Sequence, residues 1–153
     1  MKVILQRVLR AAVSVDGEIR GSCGKGFLVL VGVERGDCEE DVRVLCEKIA
    51  ALRVFEDENG KMNLSVRDVG GSVLSVSNFT LSASCRRGNR PDFTAAAPPD
   101  EAEKLYDLFS ETLSELVPTE KGVFGADMKI DMIADGPVTV PLDSETLRGP
   151  RRK

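Results

Sequence analysis

The chain of 153 residues contains no histidine. Ser-His-Asp triads, Cys-His pairs and zinc sites built on histidine are therefore excluded. If the protein is a hydrolase, its proton transfers must come from carboxylates, from water or from the substrate itself. Tryptophan is also absent, yet 42% hydrophobic and 30% charged residues are the balance of an ordinary soluble globular protein.

Long hydrophobic runs are missing as well. No segment approaches the roughly 18 consecutive apolar residues that a transmembrane helix needs. The N-terminal stretch meets Arg7 and Arg10 too soon to form the apolar core of a signal peptide. We therefore expect a cytoplasmic protein that does not bind a membrane, and its length favours one domain.

The cysteines are spaced too irregularly for a zinc ribbon or a Cys-x-x-Cys motif. They lie at positions 23, 38, 46 and 85. We expect free thiols, with Cys46 in the core because it falls on the apolar stripe of a predicted helix. Cys85 stands beside two arginines, which could lower the pKa of its thiol and support a thiol enzyme, or it is an incidental loop cysteine.

The net charge of -4 argues against a protein that coats nucleic acid. Two local basic segments remain, the loop 86–91 and the tail 148–153. The alternative for these segments is a solvated loop and a frayed terminus.

Residue patterns predict an early sheet. Residues 2–15 read as a strand, Asp16-Gly17 as a tight turn, and 18–23 as the returning strand of a hairpin. The run 27–33 is continuously apolar, which is typical of a strand buried on both faces.

Helical spacing follows at Val42, Leu45 and Ile49, with Asp37 as the predicted cap and Glu40 three residues later. A second helix is predicted after Pro98-Pro99-Asp100. Further strands are predicted at 54–55, 73–77, 128–133 and 138–142, with a long loop from 82 to 99. This order favours an α/β fold, a single domain in which two main helices cover a mixed sheet.

Three aspartates recur through the last predicted strands, Asp127, Asp131 and Asp135. Neighbours four residues apart on a strand are separated by about 13 Å, too far for one acid/base site. We interpret them as an exposed, charged face of the sheet.

Two polar segments lie at predicted strand boundaries. Ser77-Asn78-Phe79-Thr80-Leu81 precedes the long loop, where main-chain N–H groups and hydroxyls can converge on a ligand. Asp135-Gly136-Pro137 is a ready turn sequence. An ordinary strand end and an ordinary turn would also explain them, so the patterns alone leave both alternatives open.

Both segments resemble the signature motifs of the D-aminoacyl-tRNA deacylase family, the second extending as Asp-Gly-Pro-Val-Thr over 135–139. Further matches follow in order along nearly the whole chain, at 5–8, 29–33, 48–50, 55–57, 60–65, 90–91, 96–99 and 124–128.

The resemblance implies a D-aminoacyl-tRNA deacylase-like fold, with barrel-like β/β/α layers over residues 1–144 and a basic, flexible tail at 145–153. It implies hydrolysis of the ester between a D-amino acid and the terminal adenosine of tRNA, and removal of glycine from mischarged tRNA. No cofactor, metal or DNA is expected. A homodimer with active sites at the subunit interface is expected.

The resemblance also implies residue roles. Ser77, Asn78, Phe79 and Thr80 are expected at the ester, with main-chain N–H groups as oxyanion donors and a ribose hydroxyl assisting, since the ester is already activated. Thr80 as a covalent nucleophile is the weaker option because no base is evident to activate it.

The Gly136-Pro137 pair is expected to be cis and to reach into the other subunit's active site. There its carbonyl groups hold the substrate amino group and leave no room for an L side chain. The candidates for tRNA contacts are Arg7, Arg86, Arg87 and Arg90.

Two positions depart from the family pattern. Position 78 is Asn where the family usually has Gln, and position 134 is Ala where it usually has Asn. These departures keep open an alternative, a non-catalytic RNA-binding module on the same fold.

Overall fold

The computed structural model describes residues 1–149. Its strands are β1 (Lys2–Val15), β2 (Glu18–Cys23), β3 (Gly26–Gly32), β4 (Phe55–Glu56), β5 (Met62–Leu64), β6 (Ser72–Ser77), β7 (Thr119–Lys121) and β8 (Lys129–Asp143). Its helices are α1 (Glu39–Ala51), α2 (Pro99–Leu116) and α3 (Ser144–Arg148), and a 3-10 turn spans Phe79–Ser82.

Strand β1 organises the main sheet. One side of β1 pairs antiparallel with β8, while the other side pairs with β3 along its first half and with β2 along its second. Beyond β3, the strands β6 and β7 continue the sheet in parallel. A separate pair, β4 and β5, forms a small antiparallel hairpin.

The sheet curls until β2 approaches β7. The main-chain N–H of Ser22 donates to the Glu120 carboxylate at 2.6 Å. Gly21 permits this approach, because a Cβ there would lie 2.7 Å from the carbonyl oxygen of Lys121. The α/β fold with a mixed sheet, expected from the residue patterns, is confirmed, and so is the barrel-like form that the resemblance implies.

Two apolar clusters stabilise this arrangement. One lies between the sheet and helices α1 and α2, and it contains Phe27, Val29, Ile49 and Phe109. The other lies inside the curl of the sheet and contains Leu28. Alternate residues of β3 therefore enter different clusters, which confirms the prediction of a strand buried on both faces.

Helix α1 begins at Glu39, one residue later than expected with Asp37 as its N-cap. Cys38 is the N-cap, and the Asp41 carboxylate accepts its main-chain N–H at 2.9 Å. Asp37 has other partners, since its carboxylate accepts from the N-terminal ammonium at 2.6 Å and from the main-chain N–H of Glu34 at 2.6 Å. The prediction of Asp37 as the cap is wrong because its oxygens are already bound.

The last two predicted strands are one strand, β8. Val8 pairs with Ala134 and Gln6 with Thr139, so the segment 135–138 bulges outward opposite the single residue Arg7. The predicted turn at Asp135-Gly136-Pro137 is therefore a bulge, because β1 continues as the pairing partner on both sides of it.

The segment expected as a tail begins with helical residues. Residues 145–148 complete helix α3, whose first turn is capped by Asp143, with the Glu145 N–H donating to its carboxylate at 2.9 Å. Residues 150–153, which carry the rest of the basic tail, lie outside the described residues. Within residues 1–149, no helix has the length and apolar content needed to cross a bilayer.

Candidate active site

The segment that follows β6 is anchored to the neighbouring parallel strand. The main-chain N–H of Asn78 donates to the Val31 carbonyl oxygen at 2.7 Å. Gly32 lets the chain turn back closely, because a Cβ there would lie 2.9 Å from the Leu81 Cβ. The carboxyl ends of β3 and β6 thus fix the start of the 3-10 turn at an edge of the sheet, a common location for ligand sites.

A cavity of about 720 Å³ opens beside this segment. This volume lies within the range of small-molecule sites. Its wall combines Ser77, Asn78 and Phe79 with residues distant in sequence, including Phe93, Arg35, Phe124 and Ala126. The structure therefore brings three of the four residues expected at the ester into one cavity wall, next to residues that the sequence did not identify.

Thr80 lies just outside this wall. Its hydroxyl donates to the side-chain carbonyl oxygen of Asn78, a neutral acceptor. An amide oxygen cannot take the hydroxyl proton in the way that a histidine or carboxylate would. The shortened side chain at position 78 therefore has a defined contact, and that contact does not activate Thr80.

The second motif is rigidly supported by Arg7. The Gly136–Pro137 peptide bond is cis, as the resemblance implies, and Gly136 has φ of +124°. The Arg7 Nε donates to the Asp135 carbonyl oxygen at 3.2 Å, and its Nη1 donates to the Val54 carbonyl oxygen at 2.6 Å. Arg7 also lies over the Phe55 ring, with 6.0 Å from the guanidinium carbon to the ring centroid.

This position does not favour the expectation that Arg7 contacts tRNA. Only 6% of the residue is exposed, so its guanidinium is not available to a phosphate. Gly136 and Pro137 themselves are exposed and are not among the cavity-lining residues of the described chain. The structure of the single chain therefore does not bring the two motifs together.

The other three tRNA candidates are exposed. Ser84 and Asp92 exchange main-chain hydrogen bonds of 2.7 and 2.9 Å, which close a loop around Arg86, Arg87 and Arg90. None of the three forms an ion pair with a residue of the described chain.

Asp127 precedes β8, and Asp131 and Asp135 lie within it. Each of the three aspartates has its own cationic partner. These pairs are Asp127 with Lys129, Asp131 with Arg10, and Asp135 with Arg7. Asp127 and Asp131 are largely exposed, which confirms that the three do not form one acid/base site. Among residues 1–149, no cluster of three acidic or cysteine side chains is arranged to hold a metal ion.

The cysteines fall into two groups. Cys23 and Cys46 are buried, whereas Cys38 and Cys85 are exposed. Burial raises the pKa of the Cys46 thiol to about 12, with a smaller contribution from Glu47. The expectation that Cys46 belongs to the core is confirmed.

A curled mixed sheet with two helices on one face, and a cavity walled by a strand end, defines a small α/β protein of the barrel-like class. The chain belongs to the D-Tyr-tRNA(Tyr) deacylase family, whose model matches residues 4–143.

Relatives match along nearly the whole chain. A D-aminoacyl-tRNA deacylase of Geobacter sulfurreducens is 54% identical over 147 residues, covering 95% of this chain and 97% of its own. A D-aminoacyl-tRNA deacylase of Geobacter metallireducens is 53% identical over 150 residues, covering 97% and 99%.

Solved structures share the fold. A protein described as a c-Myc DNA unwinding element binding protein superposes with a TM-score of 0.89 at 41% identity, covering 94% of this chain and 98% of its own. A probable eukaryotic D-amino acid tRNA deacylase superposes with a TM-score of 0.79 at 16% identity, covering 92% and 97%, which shows the fold alone.

Proposed function

We propose that the protein is a cytoplasmic enzyme that hydrolyses the ester between a D-amino acid and the terminal adenosine of tRNA. Glycine attached to tRNA is a second substrate, since it has no side chain to exclude. The observation that carries the proposal is the cavity formed at the Ser77–Phe79 strand end, in a chain whose relatives are named D-aminoacyl-tRNA deacylases.

Catalysis in this proposal depends on positioning. An aminoacyl ester is already reactive and carries a neighbouring ribose hydroxyl, so water attack needs only an oriented substrate and a stabilised oxyanion. The main-chain N–H groups of Phe79 and Thr80 stand at the start of the 3-10 turn, where a helix leaves N–H groups without internal partners. These two groups are the proposed oxyanion donors.

Thr80 does not act as a nucleophile in this mechanism. Its hydroxyl proton is donated to the Asn78 amide oxygen, and no base among the described residues is hydrogen-bonded to it. We expect Thr80→Val to retain substantial ester hydrolysis, as measured by release of D-tyrosine from tRNA. A trapped acyl-enzyme would overturn this part of the proposal.

Chiral selection requires the Gly136-Pro137 bulge to enter an active site. Because the bulge does not line the cavity of its own chain, we place it in the cavity of a second copy, in a homodimer with active sites at the interface. The exposed edge strand β8 supports such pairing, since Ile130, Met132 and Ile133 remain 41%, 43% and 43% exposed.

Contacts with tRNA are assigned to Arg86, Arg87 and Arg90. Their exposed guanidinium groups are free to meet phosphates, so affinity for tRNA should fall with added salt. Replacing all three with glutamine should weaken tRNA binding and flatten this salt dependence. An unchanged salt slope would remove the loop from the interface.

The deciding measurement is a paired assay with D-Tyr-tRNA and L-Tyr-tRNA, in which loss of the ester is followed over time. We expect fast loss of the D ester and no enzyme-dependent loss of the L ester. Equal rates for the two esters would reject chiral selection, and no loss of either would reject the enzyme.

A second candidate function is non-catalytic binding of nucleic acid. The 41% identical protein named for binding a DNA unwinding element favours this candidate. It predicts that tRNA or unwound DNA is bound while both esters remain intact.

A thiol enzyme is a further rival, which Cys85→Ser tests by its effect on the same assay.

A further inference from the structure

Phe79 and Phe93 form an exposed aromatic pair in the cavity wall. Their ring centroids lie 5.1 Å apart in an edge-to-face arrangement. Phe79 is 58% exposed and Phe93 is 36% exposed. Rings packed in this way stabilise each other and still leave ring faces open to a partner.

The position of Phe93 is fixed by the chain around it. Ser84 and Asp92 exchange two main-chain hydrogen bonds immediately before it. After it, the main-chain N–H of Thr94 donates to the Asp92 carboxylate at 2.9 Å, and the Arg35 Nε donates to the Thr94 carbonyl oxygen at 2.9 Å. Because the ring is held in advance, a ligand that stacks on it loses little free energy to ordering.

Basic residues neighbour Phe93 in the cavity wall and along the chain. The loop that ends at Asp92 carries Arg86, Arg87 and Arg90, while Arg35 lines the same cavity as Phe93. Exposed aromatic rings combined with basic side chains are the usual means by which proteins bind single-stranded nucleic acid, with bases on the rings and phosphates on the cations.

Phe93 thus belongs to the cavity wall and directly follows, along the chain, the loop that carries the three arginines. If the terminal adenosine and its amino acid occupy the cavity, a strand that continues toward the arginines can run along the segment that carries Phe93. The base that meets the ring is then the one preceding the terminal adenosine.

On the basis of the function proposed above, we propose that Phe93, supported by Phe79, stacks the unpaired nucleobase that precedes the terminal adenosine of tRNA. The surface is thus a second nucleotide subsite, adjacent to the place where the ester reacts. It contributes affinity for the acceptor strand without reading its sequence, because every base has a stacking face.

The test combines a change in the protein with a change in the RNA. Phe93→Leu keeps an apolar side chain without a ring, and Phe93→Tyr keeps the ring. The substrates are an RNA minihelix charged with D-tyrosine and the same minihelix with an abasic penultimate nucleotide. On the intact substrate we expect Phe93→Leu to lower kcat/KM by roughly fivefold or more, and Phe93→Tyr by less than about twofold.

The effects of the protein change and of the abasic substrate on kcat/KM should not be additive. If ring and base act on each other, the abasic substrate is already slower with the wild-type protein, and Phe93→Leu slows it little further. Independent, additive losses would overturn the proposal. Dissociation of the Phe93→Leu protein into monomers in analytical ultracentrifugation would also overturn it, because the ring would then be a contact between subunits.

A measurement without turnover separates this proposal from the enzymatic one. The tetranucleotide 5′-ACCA-3′ is added to the protein, and nuclear Overhauser effects between its base protons and the Phe93 ring protons are recorded. We expect such effects from the third base. Their absence would overturn the stacking proposal even if deacylation occurs, whereas their presence in a protein that leaves D-Tyr-tRNA intact would reject only the enzyme.

Discussion

Arg7 lies buried against Asp135, with its Nε at 3.2 Å from both the main-chain carbonyl oxygen and the carboxylate of that residue. The same guanidinium reaches across to the Val54 carbonyl oxygen and lies against Gly136, where an added Cβ would stand 3.1 Å from Nη2. One side chain thus ties the bulge 135–138 to β1 and to the chain before β4. Its geometry makes Arg7 a positioning residue for the Gly136-Pro137 motif.

Replacing Arg7 with methionine should loosen the bulge. The substitution keeps the apolar stem but leaves the Val54 carbonyl and Asp135 without their donor, so the free energy of unfolding should fall by about 2 to 3 kcal/mol in urea titrations. Selectivity for the D ester over the L ester should fall as well, because the proposed exclusion depends on a fixed bulge.

Arg10→Met is the matched control for this change. Arg10 lies on the same strand and pairs with Asp131 of β8 at 3.3 Å, but on the exposed surface. Such pairs contribute about 0 to 1 kcal/mol, so stability and selectivity should change little. Unchanged D/L selectivity in a folded Arg7→Met protein would remove Arg7 from the positioning role.

Gly136→Ala should damage both the fold and the site. The φ of +124° disfavours any L side chain, and a Cβ would lie 2.9 Å from the Val138 main-chain nitrogen. Backbone strain of this kind costs about 1 to 3 kcal/mol, and the steric contact adds to it. We expect loss of D-Tyr-tRNA hydrolysis together with a lower urea midpoint.

Gly60→Ala is the control that separates the effect of backbone strain from the effect of steric contacts around the added Cβ. Gly60 has φ of +72°, but an added Cβ meets nothing within 4 Å. It should cost about 1 to 2 kcal/mol from conformation alone, with the D/L ratio preserved. If Gly136→Ala proved no more harmful than Gly60→Ala, the close packing around the bulge would have no consequence.

Local patterns predicted the elements that depend on local interactions. The continuous apolar run of β3 and the proline start of α2 are properties of neighbouring residues, and both predictions are confirmed. The burial of Arg7 could not be predicted in this way, because Val54 and Asp135 reach it from distant parts of the chain. The composition of the cavity wall could not be predicted for the same reason, since Phe93 and Phe124 come next to Phe79 only in the folded chain.

Exposed cysteines should be alkylated in the native protein, whereas buried Cys46 should not be. Cys46 is buried, its Sγ donates to the Phe109 carbonyl oxygen at 3.5 Å, and its pKa is raised to about 12. With iodoacetamide at pH 8, we expect Cys38 and Cys85 to react in the native protein, and Cys46 only after unfolding. Peptide mass spectrometry gives the order of modification.

The same alkylated protein tests the thiol rival. If Cys85 has no chemical role, modified protein and Cys85→Ser should both keep hydrolysing D-Tyr-tRNA. Loss of hydrolysis in both would support the thiol enzyme, and rapid native labelling of Cys46 would contradict its burial.

Asp41 should make the stability of the fold sensitive to acid. Its carboxylate is buried where α1 meets α3, and Arg148 lies 3.2 Å from it. Burial alone would raise the pKa of Asp41, but the neighbouring Ser144 hydroxyl, the hydrogen bonds from Cys38 and the charge of Arg148 together outweigh burial and lower it. A carboxyl group with a lowered pKa stabilises the fold above its unfolded pKa of about 4, and this contribution is lost as the pH falls through the folded pKa.

Asp41→Asn should therefore reduce the free energy of unfolding at pH 7 by about 1 to 3 kcal/mol, since the buried hydrogen-bond donors lose a charged acceptor. The difference from the wild-type protein should shrink as the pH falls from about 4 through the lower folded pKa, because the carboxyl group is protonated first in the unfolded chain and only at lower pH in the folded protein. Urea titrations at pH 7, 5, 4 and 3 measure this trend. Glu40→Gln on the exposed side of α1 is the control, because its partner Arg43 is also exposed. A difference for Asp41→Asn that stayed constant from pH 7 to pH 3 would show that the lowered pKa of Asp41 does not contribute to stability.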